Sequence, residues 1–111
     1  MAKWEKVFFP PEGEKHSPID ALKNIPRPGD QALIMRRLAL ISELETGDWP
    51  HWVKMVNKNY QVTAGDYRVY FNLYGRKMVI CHICRKVSRK ALQSDLDRAS
   101  TNFRNFLESE K

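Results

Sequence analysis

Two cysteines in 111 residues are too few to staple a secreted scaffold, so a reducing compartment is expected. No apolar run approaches the roughly 20 residues that span a bilayer, so no membrane partner is expected. The segment from Met1 to Phe9 carries Lys3, Glu5 and Lys6, and no apolar run follows it. A secretory leader is therefore not expected, and the expected location is the cytoplasm. There is no internal repeat, low-complexity tract or linker, so residues 1–111 read as one domain. Most informative is the absence of any Asp or Glu between residues 67 and 90.

That acid-free segment holds seven basic residues: Arg68, Arg76, Lys77, Arg85, Lys86, Arg89 and Lys90. The chain's net charge is +6, so this one segment carries more than all of it. Charges elsewhere nearly cancel. A patch of this kind attracts phosphates or an acidic protein partner; the plainer alternative is a solvated basic face.

The hydrophobic fraction of 42% is enough for a modest core. Trp4 to Phe9 predicts a strand, ended by Pro10-Pro11. Ser17-Pro18-Ile19-Asp20 predicts a helix start, with Ser17 as cap and Pro18 at the first helical position. Pro26 and Pro28 stop that helix after Asn24. Asp30 is the expected cap of a second helix to about Glu45, with Leu33, Ile34, Leu38, Ile41 and Leu44 as its stripe. Strands are expected at 51–56, 60–63, 67–73 and 77–84. Tyr67, Val69, Phe71 and Leu73 should face one way, and Arg68, Tyr70, Asn72 and Tyr74 the other. A last helix is expected from about Ala91 to Glu108, with Leu92, Leu96, Ala99 and Phe103 packed on the sheet. The expected class is α+β: an antiparallel-rich sheet of about four strands, two N-terminal helices and a C-terminal helix.

The run Gly65-Asp66-Tyr67-Arg68-Val69-Tyr70-Phe71 resembles the arginine-bearing strand of RelE/ParE-superfamily toxins. The following Val79 to Lys90 is similar to the HigB-like branch, where a hydrophobic run, a histidine and a lysine-rich turn lead into a C-terminal helix. Trp49-Pro50 after a helix and a glycine also fits. Where the family carries Tyr-Glu-Leu-Arg, this chain has Tyr60-Gln61-Val62-Thr63, so a second arginine is missing.

The resemblance implies the toxin of a type II toxin–antitoxin pair, a ribosome-dependent mRNA endonuclease covered by a cognate antitoxin. It also implies cleavage by the RNA's own 2′-hydroxyl, with no metal and no cofactor. Such chemistry needs a group to take the 2′-OH proton, a cation for the phosphorane and a donor for the leaving oxygen. Arg68, His82 and Lys86 are the expected catalytic set. Tyr70, Tyr74, Arg85, Arg89 and Lys90 are the expected RNA contacts, the tyrosines as stacking surfaces. Two alternatives stay open: a ParE-like inhibitor of gyrase, which Arg68, the basic turn and His82 disfavour, and an RNA-binding or phage-derived module that does not cut, which the missing arginine favours.

Strand register decides the role of His82. A two-residue turn at Gly75-Arg76 pairs Arg68 with Ile83 and sends His82 to the opposite face. A three-residue turn at Leu73-Tyr74-Gly75 puts His82 and Lys86 on the face of Arg68; this is the favoured register, because it leaves no imidazole in the core. Cys81 and Cys84 would point to opposite faces of a regular strand, so they are not expected to share an ion. Arg36 and Arg37 lie on the second helix, where the plainer reading is a solvated face and the alternative is a contact with ribosomal RNA or antitoxin.

Overall fold

The computed structural model describes residues 3–111. Its elements are β1 (Glu5–Phe8), α1 (Pro18–Lys23), α2 (Pro28–Ser42), a short 3-10 turn (Thr46–Asp48), β2 (Val53–Val56), β3 (Asn59–Ala64), β4 (Tyr67–Tyr74), β5 (Lys77–Arg85) and α3 (Gln93–Ser109). The strands form one five-stranded sheet in the order β1-β5-β4-β3-β2. The α+β class stands, with five strands rather than about four. β1, the strand expected over Trp4 to Phe9, docks parallel to β5, while all the other pairs are antiparallel.

Local chemistry sets the helix starts. Ser17 Oγ accepts from the Asp20 N–H at 3.4 Å, and Pro18 opens α1. The second helix begins earlier than expected, at Pro28, with Arg27 in the cap position and no side-chain cap. Asp30 lies inside its first turn, where a carboxylate still complements the helix dipole.

The sheet is covered on both faces. Ile34, Leu38 and Ile41 of α2 pack with Val62, Val69, Phe71, Met78 and Ile80 on one side. Leu96, Ala99 and Phe106 of α3 pack with Tyr70, Val79 and Cys81 on the other. This explains the unbroken apolar run of β5: it lies between β1 and β4 with helices on both faces. Trp49 closes the first core, its ring edge-on to Tyr60 and Phe71 and its Nε1–H donating to the Ile41 carbonyl.

The β4–β5 register combines features of both candidate turns. Tyr74 pairs with Lys77, so the connection is the two-residue Gly75-Arg76 turn, with Gly75 at φ +58°. Phe71 then pairs with Ile80, but Tyr70 pairs with His82. Cys81 is the extra residue of a β-bulge. It slips the register by one, so Arg68 lies opposite Cys84 instead of Ile83. The bulge, and not a three-residue turn, puts His82 on the face of Arg68. It also sends Val79 and Cys81 toward α3, away from Val69 and Phe71, where they were expected.

Candidate nucleic-acid interface

Arg68 lies on the α3 side of β4, and only 4% of its surface is exposed. Its Nη2 donates to the carbonyls of Ser88 and Arg89, each at 2.7 Å, and Nη1 to that of Lys90 at 3.3 Å. The planar fork expected to grip a phosphate instead grips the backbone of the turn between β5 and α3. Three carbonyls that β-pairing leaves free are satisfied this way, which fixes the turn's path. Arg68, expected in the catalytic set, here has both terminal nitrogens engaged with the turn and little surface open to solvent.

Tyr70, expected as an RNA contact, lies in the α3-side core. It is fully buried, and its hydroxyl donates to Gln61 Oε1 at 3.0 Å. Burial pushes its phenol up to about 12. No face of this ring is open to a base. Tyr74 is partly exposed but lies at the hairpin end, edge-on to Phe106 at 5.6 Å. With Tyr70 enclosed in the core and Tyr74 at the sheet's end, the two tyrosines do not form one stacking surface.

His82 stacks on Tyr70, with ring centroids 6.2 Å apart, and its Nε2 is 2.9 Å from Asp95 Oδ1 in the first turn of α3. A carboxylate there fixes the ring and selects the tautomer with the proton on Nε2. Cys84 lies beside the pair; burial first, and then the Asp95 carboxylate, push its thiol up to about 12. The two cysteines do not point to opposite faces as a regular strand would require, because the bulge brings both to the α3 side. Cys81 is fully buried there, whereas Cys84 is only partly so.

The exposed cations divide into two groups. Arg85 faces the other side of the sheet, in a hollow with Arg27, Asp30, Asp66 and Tyr67. Two carboxylates nearby make it a poor phosphate site. Lys86 is exposed at the strand end, where its N–H still reaches the Asp66 carbonyl at 2.6 Å. Arg89 and Lys90 are brought together with Lys54, Val56, Gln61 and Ala91 around a groove of about 250 Å³. Lys54 also lines a larger, open cleft of about 690 Å³ with Arg37, His51, Trp52, Thr63 and Gly65. There the Arg37 guanidinium lies 4.6 Å above the Trp52 ring and donates to the Thr63 carbonyl. Lys54 thus joins two grooves into one basic lane along β2, the open edge of the sheet.

Sequence reasoning missed His51, Trp52 and Lys54, and preferred a solvated face for Arg37. The signal was faint: Lys54 pairs with Gln61, Gln61 with Tyr70, and Tyr70 with His82. One row of side chains on a single face becomes visible only once four strands are in register. No protein-family model matches the chain, and no curated protein is significantly similar to it. No helix among the described residues is long and apolar enough to cross a membrane.

Proposed function

We propose that the chain is an RNA-directed protein of the RelE/HigB toxin type, acting on mRNA at the ribosome and held in check by an antitoxin. The observation that carries this reading is the basic lane. Arg89 and Lys90, on a turn anchored by Arg68, meet Lys54, and Lys54 leads to the Arg37–Trp52 cleft. Separated cations with a half-buried indole between them, already stacked under the Arg37 guanidinium, suit an unpaired strand, whose phosphates need charge and whose bases stack on planar groups.

For cutting, the 2′-hydroxyl proton must be taken while the phosphorane is held by cations. Exposed His51 is the imidazole that lines the lane, and Arg89 and Lys90 supply cations at its other end. His82 is oriented by Asp95 beneath the turn. A second reading is favoured by the burial of Arg68 and Tyr70: a module of this fold that binds RNA and does not cut it. Expression in cells with primer extension on a reporter mRNA, beside a binding assay on single-stranded RNA, separates the two. Growth arrest and new 5′ ends on ribosome-bound message are expected. Tight binding with intact message would establish the second reading; absence of both binding and cleavage would overturn the two together.

A further inference from the structure

His82, Cys84 and Asp95 each present a ligand atom within 4.8 Å of the other two. We infer that these three side chains form a site for a single divalent transition-metal ion of the zinc class, tying the first turn of α3 to β5. The inference does not depend on the RNA reading.

The donor set is an imidazole nitrogen, a thiolate sulfur and a carboxylate oxygen, all accepted by a borderline-soft ion. Bonds of about 2.0–2.3 Å put tetrahedral ligand atoms about 3.5 Å apart. The His82 Nε2 to Asp95 Oδ1 separation is 2.9 Å, and no pair exceeds 4.8 Å. Side-chain rotations of about 1 Å therefore close the set. The backbones that carry it are already fixed, β5 by pairing with β1 and β4 on its two sides and α3 by its packing on Tyr70, Val79 and Cys81. All three residues are partly buried, which leaves a fourth position for water.

The charges balance simply. The metal enters where Nε2 and Oδ1 now share a proton. The imidazole stays neutral by carrying its proton on Nδ1. The thiol releases one proton to solvent and becomes a thiolate. Arg68 lies directly opposite Cys84, and its Nε–H is the one buried side-chain donor without a partner among the described residues. Burial and the Asp95 carboxylate hold the thiol protonated in the metal-free protein, so the ion must displace its proton; the new negative charge on sulfur then forms beside the Arg68 cation and its free donor, which work the other way. That same cation disfavours a bare dication. Two anionic ligands on the ion offset this, leaving the site with one net positive charge.

The test uses cobalt(II) and zinc(II) alone on the whole chain. Cobalt(II) should give a thiolate-to-metal charge-transfer band in the near ultraviolet that saturates at one ion per chain, and zinc(II) should displace it. Cys84→Ser should abolish the band, and Asp95→Asn or His82→Ala should weaken cobalt binding at least tenfold. Cys81→Ser should leave the band intact. Absence of the band in the wild-type chain overturns the site. So does a band that survives Cys84→Ser, since the metal would then be bound elsewhere. The wild-type titration decides even if a variant fails to fold.

Discussion

Arg68 Nη2 lies 2.7 Å from the carbonyl oxygen of Arg89. One strand arginine thus holds the backbone of the turn whose own side chains Arg89 and Lys90 line the basic groove. The guanidinium itself is buried beneath that turn. Loss of a buried, hydrogen-bonded charge group leaves its partners unsatisfied in a low-dielectric site.

Arg68→Ala should accordingly destabilise the fold by about 3 kcal/mol. Arg68→Lys should recover only part of this, because one ammonium cannot reproduce the fork to three carbonyls. Urea unfolding measures the first effect. RNA affinity should also fall, with an unchanged slope against salt. A direct phosphate contact behaves differently: its removal lowers the slope by about 0.7 on single strands. A full-stability Arg68→Ala with a reduced slope would restore the phosphate assignment.

Lys54→Ala, Arg89→Ala and Lys90→Ala should show the converse pattern. All three line the lane and none is held in the core. Each should weaken single-stranded RNA binding and lower the salt slope by about 0.7, roughly additively. Stability should move by no more than about 0.5 kcal/mol. Three variants that bind like wild type would remove the lane from the site.

How far the sequence revealed this arrangement depends on the kind of information. Alternation along 67–74 gave the two faces of β4 correctly, because a strand's period is local. Ser17-Pro18 gave the start of α1 for the same reason. The face carrying Arg68 was expected to be open, yet α3 covers it; arginine and tyrosine look alike in sequence whether they meet RNA or a buried carbonyl. The bulge at Cys81 was invisible. A run of apolar residues from Met78 to Cys81 has no alternation to mark an extra residue. Lys54 and Trp52 lie far from Arg89 in sequence, so only strand order could join them.

Tyr70 tests the same point at one atom. Its hydroxyl donates to Gln61 Oε1 in the α3-side core. Tyr70→Phe should cost about 1 kcal/mol, because one buried acceptor loses its donor while the ring stays in place. RNA affinity should not change. An equilibrium unfolding curve and a binding isotherm on one preparation suffice, and a loss of affinity without loss of stability would return Tyr70 to the RNA surface.

The same core should make the protein sensitive to alkali. Burial pushes the Cys81 thiol from its ordinary 9.0 up to about 12. Cys84 and Tyr70 are also pushed up to about 12. A group protonated in the fold but ionised in the unfolded chain makes the unfolded state bind fewer protons, so stability falls as pH rises. The contribution is complete below about pH 9, where both states hold the thiol protons. It declines through the window from about 9 to about 12, and Tyr70 joins above about 10. Cys81 is fully buried and should contribute a slope of about 1.4 kcal/mol per pH unit; Cys84, which water reaches, should contribute less. Urea midpoints followed from about pH 8 to about pH 10.5 should therefore drop steeply in the wild-type chain. The slope should be shallower by close to one proton in Cys81→Ala. Parallel curves for the two proteins would show that the Cys81 thiol does not stay protonated in the fold.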